Sequence, residues 1–201
     1  MALKPSTVGR PREFNQDIAL SNVVDVFWRK GFSATNYADL EQATGLHRQS
    51  LVYAFGDKRS LLQAALNHYA GKRVSAVVEE LDRTDIAPID AVTNVFAMWL
   101  EDARRAASPG CLLVNTAGEV GRRDAELTKI LEGATERLVT AFEKAFARAK
   151  AAGQMAAVID AKAMARMAVA LGDGALLRSR SSGDPEFAGQ AFSAFLKLLK
   201  N

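Results

Sequence analysis

Apolar side chains recur at intervals of three and four residues almost from one end of this chain to the other. Leu20, Val23, Val24, Phe27 and Trp28 stand at i, i+3, i+4, i+7 and i+8, the single stripe of a helix that buries one face. Asn15 is placed to cap that helix, and Gly31 offers the left-handed stop. Asn36 followed by Asp39 reads as a capping box opening a short second helix with Leu40 and Ala43, which Gly45 ends. A third helix is expected from about His47 to Phe55. Asp57 caps a longer fourth, carrying Leu61, Leu62, Ala65, Leu66 and Tyr69 and running to about Glu80. Pro88 suits the first position of a fifth, whose stripe is Val92, Val95, Phe96, Trp99 and Leu100. Beyond Ser108-Pro109-Gly110 a short apolar helix is expected from Cys111 to about Glu119. Leu127, Ile130, Leu131, Ala134, Leu138, Phe142 and Phe146 then mark a long seventh. Asp160 caps an eighth through about Leu177, and Asp184-Pro185 opens a ninth with Phe187, Ala191, Phe192, Phe195 and Leu199. Nine helices and no strand or repeat make the expected fold all-α.

Composition narrows what such a fold can do. With 201 residues, 49% of them hydrophobic and 24% charged, the chain can bury a core as one domain or two small ones. The lone Cys111 excludes a disulfide framework and any Cys-rich zinc or iron–sulfur site. His47 and His68, the two histidines, lie on different helices, so a transition metal would have to lean on carboxylates such as Glu119; no metal and no cofactor is expected. No nucleophile–base pair and no phosphate-binding glycine loop is visible, which argues against an enzyme. No apolar run reaches the ~18–20 residues of a membrane span, and the basic start lacks the apolar stretch of a signal peptide, so a cytoplasmic protein is expected.

The net charge of +3 is modest, and its placement says more. Residues 1–12 carry Lys4, Arg10 and Arg12 with no acid; residues 1–65 hold eight basic against six acidic groups, and the remainder eighteen against seventeen. A basic arm ahead of a compact segment suits an anionic polymer, although an ordinary solvated terminus has the same pattern.

The first three helices are too short to bury their faces separately and must pack together. Between the second and third, Gly45 permits a left-handed turn and Leu46 fills the space between the helices, as a helix-turn-helix requires. A helical wheel turns Leu51, Ala54 and Phe55 inward. Gln49 and Tyr53 then face away, flanked by Ser50 and Val52, with Arg48 at the border. A guanidinium can pair with guanine edges and an amide with adenine edges, while Ser and Tyr hydroxyls can reach phosphates. A plain solvated helix face is the alternative, and spacing leaves both open.

Three stretches carry a resemblance: Gly31-Phe32-Ser33-Ala34-Thr35-Asn36-Tyr37-Ala38-Asp39-Leu40, then Thr44-Gly45-Leu46, then Ser50-Leu51-Val52-Tyr53-Ala54-Phe55-Gly56-Asp57-Lys58 with Leu61-Leu62. In this order they resemble the N-terminal domain of the TetR family of bacterial transcriptional repressors, over about residues 10–66. The resemblance implies a homodimer that binds double-stranded operator DNA with His47–Phe55 as recognition helix. Carried over by position, Arg48, Gln49 and Ser50 meet bases or nearby phosphates. Thr35 or Asn36 and Lys58 hold the backbone, at helix starts where the dipole favours phosphate. Arg10 and Arg12 reach the adjacent minor groove or backbone. One departure is Val52, where the family often has Tyr; Tyr53 keeps the second aromatic, and with it a phosphate contact.

The segment Pro109-Gly110-Cys111-Leu112-Leu113-Val114-Asn115-Thr116-Ala117, with Glu119, Gly121-Arg122 and Asp124, resembles one C-terminal branch of the same family. That likeness implies a basic arm over 1–12, a DNA-binding domain over 13–60 and a ligand-binding and dimerisation domain over 61–201. It implies an apolar cavity for a small organic inducer, with Phe96, Trp99, Leu100, Cys111, Leu112, Asn115, Glu119, Met164 and Met167 as candidate contacts, against the ordinary-core reading that any one of them favours. Cys111 stands at a helix start, where the dipole can lower a thiol pKa, so a thiol-based sensor competes with a small buried hydrophobe. Ala161, Ala165, Ala168, Gly172 and Ala175 recur along the eighth helix. The resemblance implies a dimer interface through about 160–200, against packing within one subunit. A protein-interaction module keeping the helix-turn-helix as scaffold is the rival function.

Overall fold

The computed structural model describes residues 14–105 and 109–199, and among these the chain forms nine helices and no strand. Arg10 and Arg12 lie outside the described residues. Local chemistry sets the helix ends where the sequence places caps. In α1 (Gln16–Lys30) the Asn15 carbonyl accepts from the N–H groups of Asp17 at 2.9 Å and Ile18 at 3.2 Å. At α2 (Tyr37–Thr44) the Asn36 side chain accepts from Asp39 N–H, and the Asp39 carboxylate accepts from Asn36 N–H, each at 3.0 Å. Gly45 at φ 69° turns the chain into α3 (Arg48–Phe55), an angle that costs a residue with a Cβ about 1 kcal/mol or more.

The fourth helix is one rod in three parts. Lys58–Tyr69 is α-helical, Ala70–Val74 forms a single π turn, and Ser75–Leu81 resumes the α form; together they are α4. Beyond it come α5 (Pro88–Arg104, with Pro88 in the first turn), α6 (Leu112–Val120), α7 (Ala125–Ala151), α8 (Ala161–Ser182) and α9 (Glu186–Leu199). None of them is long and apolar enough to cross a membrane.

Buried side chains form two clusters that share the α4 rod. One gathers Phe27, Leu40, Leu51, Leu61, Leu62 and Leu66 from the first four helices, joined by Leu112 and Leu113 of α6 and Leu127, Leu131 and Ala134 of α7. The other is built on Phe96 of α5, whose ring centroid lies 5.0 Å from Phe192, 5.2 Å from Phe195 and 5.3 Å from Trp99. The boundary expected after residue 60 is therefore no break in packing: α6 and the first half of α7 complete the core of the N-terminal helices.

Polar contacts reinforce that seam. Glu119 of α6 accepts from Phe32 N–H at 3.1 Å and Ser33 N–H at 2.9 Å, just beyond Gly31. Arg59 grips Asp124 with two parallel bonds of 2.5 and 2.7 Å. Trp28 Nε1–H donates to Gly110 O at 2.9 Å.

Candidate nucleic-acid interface and cavity

On α3 the two faces separate as the wheel predicts. Leu51 is sealed at 0% exposure, whereas Tyr53 is 90% exposed and Arg48, Gln49 and Val52 are also exposed; Ser50 is half-buried. Arg48 is pre-positioned. Its backbone N–H donates to Glu41 Oε1 at 2.6 Å, and its guanidinium carbon lies 4.5 Å from the centroid of Tyr37. Tyr37, which the sequence marks only as part of a motif, thereby holds the residue nearest the start of the helix.

Two residues expected to hold the DNA backbone are engaged within the chain. Thr35 is 2% exposed, and its hydroxyl donates to Gly31 O at 2.6 Å, closing the turn between α1 and α2 instead of facing outward. The Lys58 ammonium is half-buried, donates to Phe32 O at 3.0 Å and Thr35 O at 2.8 Å, and sits 4.6 Å from the Phe32 ring centroid. An N-terminal lysine carried over by position as a phosphate ligand here holds the α1–α2 turn, because two backbone carbonyls of that turn converge on it. Asn36 stays exposed while its carbonyl caps α2.

A cavity of about 410 Å³ opens between α4, α5, α7 and α8 beside the N-terminal end of α6. Val74, Val77, Met98, Trp99, Leu113, Leu138 and Leu176 supply apolar wall, and its polar groups include Tyr69, Arg73, Asp102, Cys111 and Asp173. Trp99 packs close against α8 because Gly172 has no side chain: a Cβ there would come 2.4 Å from the indole. Arg73 is ion-paired to Asp102, and Arg105 reaches the same carboxylate at 3.5 Å. Tyr69 O–H donates toward Cys111 Sγ at 3.9 Å. Burial pushes the Tyr69 hydroxyl up.

Of the residues expected to contact a ligand, Trp99 and Cys111 line this cavity; the others are placed elsewhere. Phe96 is 1% exposed at the centre of its cluster, and Leu112, also 1% exposed, packs in the other. Leu100 borders a separate depression with Phe192 and Leu196. Asn115 is buried and donates to Pro109 O at 2.7 Å. Met164 packs against the core and Met167 faces outward. Glu119 belongs to the seam, since its carboxylate is taken by the two N–H groups after Gly31. Gly172, part of a small-residue stripe that suits either a second subunit or packing within one, meets Trp99 of its own chain.

Of the two readings open for Cys111, burial favours the small buried hydrophobe over the activated thiol. The N–H groups of Val114 and Leu113 do pull its pKa down, but burial outweighs them and the nearby Asp173 adds to it, so the thiol is pushed up. Arg104 and Arg105 give no help; they pair with Glu186 and Asp102.

Asp173 itself escaped the sequence reading. The available signal was a single acid in α8, set between Gly172 and Gly174 within a run of small and apolar residues. Burial raises its pKa to about 6.

Comparison with known proteins bears on both regions. A family model described as "Bacterial regulatory proteins, tetR family" matches residues 20–65, and one described as "Tetracyclin repressor-like, C-terminal domain" matches residues 88–195. The chain is 31% identical over 151 residues to the uncharacterized HTH-type transcriptional regulator YezE of Bacillus subtilis (strain 168), covering 74% of this chain and 76% of that protein. It is 27% identical over 125 residues to the HTH-type transcriptional repressor ComR of Escherichia coli (strain K12), covering 62% of this chain and 60% of that one. A cysteine mutant of the TetR family transcriptional regulator CifR, complexed with 26bp double-strand operator DNA, superimposes with a TM-score of 0.82 at 25% identity, over 95% of this chain and 100% of that one.

Proposed function

The chain belongs to the TetR family of bacterial regulatory proteins, and from that membership we propose that this DNA-binding transcriptional regulator is a repressor working as a homodimer. Two-fold symmetry then calls for a pseudo-palindromic operator, with the two copies of α3 entering successive major grooves roughly 34–36 Å apart. Arg48 and Gln49 read base edges, Tyr53 and Asn36 reach phosphates, and Ser50 serves either. Lys58 and Thr35 act one step back, keeping the turn ahead of α2 in shape.

Release follows from a small molecule in the cavity between α4 and α8. The α4 rod touches both regions: Lys58 holds the α1–α2 turn at one end, and Tyr69, Arg73 and Val74 line the cavity around the π turn. A ligand that binds better to a dimer whose recognition helices are wrongly spaced shifts the population off DNA. Taking that balance from 1:99 to 99:1 requires about 5.5 kcal/mol of differential affinity.

The observation carrying this reading is the division of α3 into a sealed Leu51 side and an exposed Arg48, Gln49 and Tyr53 side. Selection from a random duplex pool should recover a two-fold symmetric sequence. Gln49→Ala should then lose about 1–3 kcal/mol of discrimination at one base pair of each half-site while random-DNA binding holds. A protein that enriches no sequence sinks the proposal.

A further inference from the structure

Resting on the reading of the cavity as the inducer site, we propose that its ligand is an organic cation: a protonated amine on an apolar or aromatic body, its charge met by Asp173. The argument starts from charge accounting inside the cavity. Arg73 is satisfied by Asp102, which Arg105 also approaches, so these three groups form a set of their own on α4 and α5. Glu101 is exposed. Asp173, on α8, is half-buried, and among the described residues no cation or hydrogen-bond donor answers it. A carboxylate withdrawn from water without a partner is destabilised, and an entering cation supplies what is missing.

The surroundings favour a particular kind of cation. Gly172, one residue before Asp173, lets the Trp99 ring press onto the helix backbone, so an indole and a carboxylate belong to the same stretch of wall. An ammonium beside an indole face gains cation–π attraction, and desolvation strengthens it. Val74, Val77, Met98 and Leu138 offer apolar contact to the rest of the molecule. About 410 Å³ is the scale of a compact organic ligand, larger than a metal ion or a simple ammonium requires.

The pH dependence distinguishes this carboxylate. Asp173 ionises near pH 6, so amine affinity should rise between pH 5 and 7 as the negative charge develops. The other ionisable groups facing the cavity are Arg73, Asp102, Arg105, Glu101, Cys111 and Tyr69. Asp173→Asn leaves all six in place, so it isolates the contribution of Asp173.

Calorimetric titration of the full-length protein with 3-phenylpropylamine, 3-phenylpropanol and 3-phenylpropanoate tests the idea directly. At pH 7.5 the amine should bind at least tenfold more tightly than the alcohol, with the acid weakest. Asp173→Asn should erase both that preference and the rise from pH 5 to 7, while still binding operator as evidence that it is folded. Equal or tighter binding of alcohol or acid, no saturable amine binding, or a preference that survives in Asp173→Asn overturns the proposal. A parallel operator-release assay separates it from the reading beneath it. If the amine binds through Asp173 without releasing DNA, the cation site stands and the inducer role falls. If the alcohol or acid releases DNA and the amine does not bind, the inducer site stands and the cation falls.

Discussion

Lys58 illustrates how much one side chain can do away from the ligand it was expected to meet. Its ammonium is shared between two carbonyls of the α1–α2 turn, so removing it leaves both with weaker partners. Lys58→Ala should lower unfolding stability by about 2 kcal/mol by denaturant titration, the scale of hydrogen bonds to a charged group, and weaken binding to all DNA sequences alike. A stability unchanged within error would return Lys58 to a phosphate. Asp124 gives a pH-resolved case. Arg59 beside it holds its carboxyl down at about 2, and a depressed pKa contributes stability that is present above the ordinary Asp range and disappears as pH falls through the folded value. Asp124→Asn should melt below the parent at pH 7, with the gap closing between pH 4 and 2; a constant gap would mean the ion pair does not matter. The residues legible in the sequence were those whose role is local. Asn15, Asn36 and Gly45 act on chain neighbours within four positions, so a one-dimensional pattern contains the whole interaction. The partners of Thr35 and Lys58 are not legible in that way, because they depend on how the α1–α2 turn folds back.

At the scale of helices, the nine expected elements reappear because apolar spacing and caps agree along the chain. Two things escaped that pattern: the π turn in α4 and the pairing of α5 with α8 through Trp99 and Gly172. A wheel assigns Gly172 to a small-residue stripe, yet which helix that stripe meets is a property of the whole packing. Gly172→Ala tests the pairing. The added methyl would enter the indole, so either the ring swings into the cavity or α5 moves outward. The expected result is a loss of about 1–3 kcal/mol of stability, together with weaker binding of any cavity ligand and altered Trp fluorescence. A variant as stable as the parent with an unchanged emission spectrum would show that the contact yields freely. The cavity is legible only in part, since Trp99 and Cys111 lie in stretches with a visible break or stripe, whereas Asp173 belongs to a helix whose other residues point to packing.

For the molecule as a whole, the proposed dimer places demands on α8 and α9. Met167 and Leu177 on α8, with Phe187 and Leu198 on α9, are between 47% and 63% exposed, an unusual share of large apolar surface for two helices of one chain. Leu177→Glu would force a carboxylate into an interface made there. Light scattering after size-exclusion chromatography should then report a monomer at micromolar concentration with helical circular dichroism intact and operator affinity sharply reduced; a persisting dimer would move the interface to another face. The seam between the two clusters has a consequence for anyone who recombines such proteins. Because Glu119 and Asp124 from the C-terminal part carry the turn after Gly31 and the start of α4, a chimera spliced just after residue 60 would separate each from its mate. A working graft of this reading head onto another sensor has to bring 112–131 along with it, or rebuild both sides of the joint together.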